Sequence, residues 1–201
     1  MNDSHFDAHA RSWDTDDKRY RASRVADRLR AAVDLSRVRR ALEYGCGTGL
    51  LSFELKDELA DVTLADTSDG MLEVAREKIT ASGCSHFRAL RLDLAAGDSP
   101  PAPFDLVFTL LTLHHIPDTP GILRAFHDCL NPGGQLLIVD LDAEDGSFHG
   151  PDIDVHHGFE REMLCRQMEK AGFTEITIDD CLQLNRHERD YGLFIACARR
   201  R

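Results

Sequence analysis

Three glycines at alternate positions, Gly45, Gly47 and Gly49, stand behind a carboxylate in the run Glu43-Tyr44-Gly45-Cys46-Gly47-Thr48-Gly49. Glycine tolerates positive φ and has no Cβ to hold a ligand away. Such a loop can therefore press bare backbone N–H groups and a helix N-terminus against a bound molecule. The same residues would also serve as a tight turn that binds nothing. A second carboxylate, Asp66, closes the apolar run Val62-Thr63-Leu64-Ala65 and precedes Thr67. An acid at a strand end can accept hydrogen bonds from both hydroxyls of a ribose. A third, Asp93, ends Arg91-Leu92-Asp93-Leu94. Four histidines, His114-His115 and His156-His157, are the candidates for moving a proton, since imidazole titrates near neutrality.

The elements needed to position these groups follow from periodicity. Short apolar runs predict strands at 40–44, 62–65, 87–92, 106–110, 135–141, 174–179 and 193–198. Helical spacing predicts helices at 23–33, 49–59, 69–82, 120–130 and 160–171. Strands alternating with helices indicate a parallel sheet covered on both faces. Thr119-Pro120 supplies a helix start, and Asn131-Pro132-Gly133-Gly134 turns the chain into the next strand. The proline-rich stretch between Leu94 and Phe104 cannot hold a helix of any length, so one crossover is expected to be a loop.

The glycines do not follow the dinucleotide spacing G-x-G-x-x-G. Their E-x-G-x-G-x-G pattern resembles that of the class I S-adenosylmethionine-dependent methyltransferases, in the small-molecule branch that includes the ubiquinone and menaquinone biosynthesis enzymes. Residues 6–198 carry matching segments in the family's order. The resemblance implies a Rossmann-like, doubly wound α/β fold of seven mostly parallel strands, the last antiparallel and inserted beside the fifth and sixth. It also implies transfer of a methyl group from S-adenosyl-L-methionine, leaving S-adenosyl-L-homocysteine, to a small organic acceptor. By the same resemblance the glycine loop (Glu43, Gly45, Cys46, Gly47, Gly49) and Asp66-Thr67 hold the cofactor. Asp93 accepts from the adenine amino group, and the Leu94 N–H bonds the ring. Met71 lies beside the adenine, although a methionine at helical spacing also suits a core. Leu110, at the end of the fourth strand, lies beneath the methionine part.

Phe6-Asp7-Ala8-His9-Ala10-Arg11-Ser12-Trp13-Asp14 is similar to the family's F-D-x-x-A-x-x-[YW]-D arm. There it forms a lid, with Trp13 as an aromatic wall on the sulfonium side. The resemblance thus divides a single domain, 1–201, into a helical lid at 1–35 and a core at 36–201, with 142–159 facing the acceptor. Within that core His115 and His157 are the expected catalytic histidines, the 114–115 pair being also a frequent structural turn. A ring of carboxylates suits a sulfonium cation better than the pyrophosphate of a dinucleotide, an electrostatic argument that stands apart from the resemblance.

Composition narrows the partners. A net charge of −11 disfavours nucleic acid, which needs a basic face. The motif that accompanies methylation of exocyclic base amines is absent from the fourth strand. No apolar run is long enough to cross a membrane and the first residues are polar, so a cytoplasmic location without membrane insertion is expected. The six cysteines form no C-x-x-C pair and are expected to be reduced. Asp152 and Asp154 beside the histidines raise the idea of a divalent metal that deprotonates a catechol-like acceptor. No ligand spacing supports it, and no metal is expected. A non-catalytic S-adenosylmethionine binder that regulates a partner is the alternative. Oligomeric state is open.

Overall fold

The structure, a computed structural model, describes residues 3–149, 153–186 and 188–201. Seven strands form one sheet: β1 (Ala41–Tyr44), β2 (Val62–Asp66), β3 (Phe87–Arg91), β4 (Phe104–Leu110), β5 (Leu130–Leu141), β6 (Phe173–Arg186) and β7 (Arg189–Arg200). Their order is β3-β2-β1-β4-β5-β7-β6. β1 to β5 run parallel, and β7 lies antiparallel between β5 and β6. This is the doubly wound, mostly parallel sheet expected, with its switch point between β1 and β4, where ligands bind in such folds.

Among the described residues, six α-helices surround it: α1 (Asp3–His9), α2 (Asp16–Ala32), α3 (Leu50–Glu54), α4 (Asp69–Ser82), α5 (Thr119–Cys129) and α6 (Arg161–Lys170). Two cores result, one on each face. Leu29, Leu51, Leu64, Leu72, Phe108, Val139 and Ile195 join α2, α3 and α4 on one side. Leu42, Val107, Phe126, Ile138, Met168 and Phe194 join α5 and α6 on the other. Adjacent residues such as Val107 and Phe108 enter opposite cores because the strand pleat alternates its side chains. Both being apolar is what a strand buried on two faces requires.

Several boundaries differ from expectation. α2 begins at Asp16, well before 23, because Thr15 caps it by accepting from the Lys18 N–H and Asp16 and Asp17 occupy its first turn. That turn carries charge, not apolar periodicity. α3 is five residues long, although Leu55 and Leu59 beyond it stay buried. α5 is capped by Asp118, which accepts from Gly121 N–H at 2.9 Å, so Thr119 is its first residue and not its cap. β6 and β7 pair far beyond their apolar centres, to Arg186 and Arg189. Backbone pairing holds the hairpin there, which hydrophobic spacing does not report. Between β3 and β4 the crossover has only a short 3-10 turn, Leu94–Ala96.

Candidate functional site

The turn after β1 needs its glycines for stated reasons. Gly45 has φ +68°, and a Cβ there would fall 2.2 Å from the Thr112 Cγ2. Gly47 has φ +53°, and its missing Cβ faces Trp13 Nε1 at 3.5 Å and Met71 Sδ at 3.9 Å. The arm, the glycine loop and the start of α4 thus converge on one backbone position. Asp66 fastens this junction, accepting from Gly47 N–H at 2.7 Å and from Ser68 N–H at 2.9 Å. Thr67 is buried beside it. Cys46 is buried, its N–H paired with the Ala65 carbonyl, and desolvation raises its thiol well above the ordinary range.

Glu43, at the head of the loop, is tied to the helix behind it. Its carboxylate is 3% exposed and turns to Ser52, whose N–H and Oγ both donate to it. It therefore faces α3 and pins that helix behind the loop. Burial lifts its carboxyl to about 7 against those hydrogen bonds. Asp93 stands at the end of β3, where it caps the following turn by accepting from Ala96 N–H at 3.0 Å. Leu94 is buried behind it.

The N-terminal arm is latched at two points. Asp7 Oδ1 accepts from Ser68 Oγ at 2.5 Å and from Gly70 N–H at 2.9 Å, which holds its carboxyl below the usual range. Asp14 accepts from Thr48 Oγ1 and from Lys78 Nζ. The Lys18 ammonium lies over the Trp13 ring, 3.3 Å from its centroid. Phe6 bridges from Trp13 to His115, with ring centroids 5.7 and 5.4 Å apart.

Past Leu110, the half-buried end of β4, Leu111 adopts φ +52°, a strained value for a leucine. The chain then enters a 3-10 turn, Leu113–His115. His114 Nδ1 lies 2.6 Å from Asp140 Oδ1, both side chains fully buried. Its Nε2 lies 2.9 Å from His149 Nε2. The His115 ring completes the group, with centroids 4.1 Å from His114 and 5.1 Å from His149. Burial, then the proximity of the His114 and His149 imidazoles, pushes His115 down to about 3. Burial, His114 and Arg186 push His149 down to about 4. Both are neutral at physiological pH.

The two expected catalytic histidines are therefore separated. His115 sits in the cluster against the arm. His157 is exposed, its ring packed over Gly146, and is not part of the cluster. His156 anchors the loop instead: its N–H donates to the His114 carbonyl, and its Nε2 meets the Ile116 carbonyl at 3.0 Å. Asp154 is exposed, and Asp152 lies outside the described residues. His149 and Asp140 were not anticipated. A signal existed for Asp140, a carboxylate inside Leu136-Leu137-Ile138-Val139-Asp140-Leu141. For His149, 35 residues beyond His114, the signal was its place in the 142–159 segment.

Glycine turn, Asp66 and N-terminal arm meet at the carboxyl ends of β1, β2 and β4. A family model described as a methyltransferase domain matches residues 17–178. The chain belongs to the methyltransferase-domain family. A ubiquinone biosynthesis O-methyltransferase from Idiomarina loihiensis is 36% identical over 104 residues, 51% of this chain. That match spans 42% of the relative, less than half its length. Among solved structures, N-methyltransferase NodS from Bradyrhizobium japonicum, in complex with S-adenosyl-L-homocysteine, superposes with TM-score 0.71 at 21% identity. The superposition covers 94% of this methyltransferase-family chain and 90% of NodS. The [4+2]-cyclase SpnF superposes with TM-score 0.73 at 20% identity, over 89% of this chain and 80% of that one. At such identities the superpositions establish the shared fold.

Proposed function

We propose that this protein transfers a methyl group from S-adenosyl-L-methionine to a small-molecule acceptor. The convergence of Trp13 and Met71 on the Cβ-less Gly47, with Asp66 beneath it, supports this reading most directly. That cradle, with the Asp66 carboxylate on the Gly47 N–H, suits a nucleoside bearing a sulfonium charge. In this reading Asp66 receives the ribose hydroxyls, and Asp93 with the Leu94 N–H receives the adenine, flanked by Met71. Gly45, Cys46, Gly47, Gly49 and Thr67 line the cofactor through their backbone, Leu110 underlies its methionine part, and Trp13 covers it. Glu43 contributes by holding Ser52 and α3 in place.

When bound, the cofactor supplies a methyl carbon already activated by the sulfonium. The chain's own work is then alignment and exclusion of water. Phe6 and Trp13 close the space between the glycine loop and the histidines. The acceptor enters on the histidine side, where His115 borders the arm. His157 is exposed on the loop outside the cluster. A small-molecule acceptor agrees with the name of the O-methyltransferase relative and with the acidic charge of the chain.

Calorimetric titration with S-adenosylmethionine, S-adenosylhomocysteine and NAD tests the cofactor assignment. Micromolar binding of the two sulfur compounds and none of NAD is expected. Binding of NAD in their place would overturn it. A panel of phenolic and amine acceptors, followed by mass spectrometry for a methyl gain, then tests the transfer.

A further inference from the structure

We propose that His114, His115 and His149 form a binding site for one divalent transition-metal ion, with Asp140 as the carboxylate that orients it. One ring nitrogen from each histidine lies within 4.8 Å of the others. Two of them, His114 Nε2 and His149 Nε2, are already 2.9 Å apart. Metal–nitrogen distances of about 2.0–2.1 Å place neighbouring ligand atoms roughly 3.0–3.4 Å apart. The pair is thus near bonding geometry, and the third ring, its ligand atom within 4.8 Å of the other two, turns inward to complete the set.

The protons support the same reading. His114 Nδ1 faces Asp140 Oδ1 at 2.6 Å, so that nitrogen donates and Nε2 carries the lone pair. Asp140 is in turn held by Leu141 N–H at 2.8 Å and by His114 N–H at 3.3 Å. A fully buried carboxylate in the apolar β5 is costly unless it has such work. Carboxylate behind histidine, with the other ring nitrogen presented outward, is the arrangement that fixes the tautomer and orientation of metal-ligating imidazoles. As it stands, the His114–His149 contact is bridged by one proton, which a bound ion would displace. Imidazole donors favour zinc, cobalt, nickel or copper over magnesium and calcium.

Three protein ligands leave a coordination position open, as in catalytic rather than structural zinc sites. His115 meets the Phe6 ring, so the cluster borders the arm. An acceptor oxygen taking the open position would release its proton to water with no change in the oxidation state of the ion. This last consequence rests on the methyl-transfer reading; the binding site itself does not.

The test uses full-length, tag-free protein stripped with chelator and titrated with Zn²⁺ by calorimetry and with Co²⁺ by visible absorption. One ion per chain at micromolar affinity or tighter is expected. His149→Ala, a change on a half-buried loop residue, should weaken binding at least about tenfold, and Asp140→Asn by about 10–100-fold. His5 and His9, whose rings are 4.5 Å apart on the arm, form a histidine pair outside the cluster, and His5→Ala should leave the affinity unchanged. Circular dichroism and the melting temperature of the same samples report whether each variant is folded, and S-adenosylhomocysteine affinity is measured alongside. Absence of stoichiometric binding, or full retention in both folded variants, overturns the site. Metal binding without S-adenosylhomocysteine binding would leave the site standing and remove the cofactor reading instead.

Discussion

At the scale of single residues, Asp66 carries the most. Its two oxygens already accept from Gly47 and Ser68 N–H groups, so the side chain both shapes the loop and stands where a ribose would meet it. Asp66→Ala should weaken S-adenosylmethionine binding by about 1.5–3 kcal/mol through lost charge-assisted hydrogen bonds. Calorimetry checks this, and an unchanged affinity would place the ribose elsewhere. Asp66, Gly45 and Gly47 were legible as residue types at a spacing. Glu43 was legible as important but not in its orientation. A strand residue can point to either face, and only packing against Ser52 shows which.

At the scale of elements, the arm is the part most open to change. Its ion pairs from Arg11 to Glu73 and Glu77 are exposed and contribute little. Asp7, joined to the Ser68 hydroxyl and the Gly70 N–H, and Asp14, joined to Thr48 and Lys78, tie it to α4 and the glycine loop. Asp7→Ala is expected to speed amide hydrogen exchange across residues 4–13 and to weaken cofactor binding several-fold, while the melting temperature stays nearly constant. Exchange as slow as in the parent would show that the arm is held by Phe6 and Trp13 alone. The arm's motif was readable, but its partners on α4 were not, since they lie some sixty residues away in sequence.

For the whole molecule, Glu43 links stability to pH. Its carboxyl is lifted from 4.5 to about 7 chiefly by burial, so the native state holds a proton that the unfolded chain has lost over that range. A folded pKa raised above the unfolded one stabilises fully below pH 4.5, and that contribution disappears as pH climbs through about 7. Denaturant unfolding of the parent protein should therefore lose about 2–3 kcal/mol relative to Glu43→Gln between pH 4.5 and 8. Parallel pH profiles for the two proteins would show that Glu43 is ionised without penalty.

The sequence by itself determined the strand and helix alternation, the order of the segments and the glycine loop with its acids. These are local properties: hydrophobic period, turn chemistry and the spacing of a few residues within one turn. It also carried the family, because that pattern recurs in the same order along the chain. Tertiary structure alone decided which histidines meet. His114 and His115 belong to the turn after β4, Asp140 to β5, and His149 to the loop beyond it. β4 and β5 are neighbours in the sheet, so their carboxyl ends deliver these residues to one place. His156 and His157, on the same loop, are instead spent on anchoring it or left at the surface. Side chains tens of residues apart are brought together by strand register and loop closure, and neither is written in local spacing.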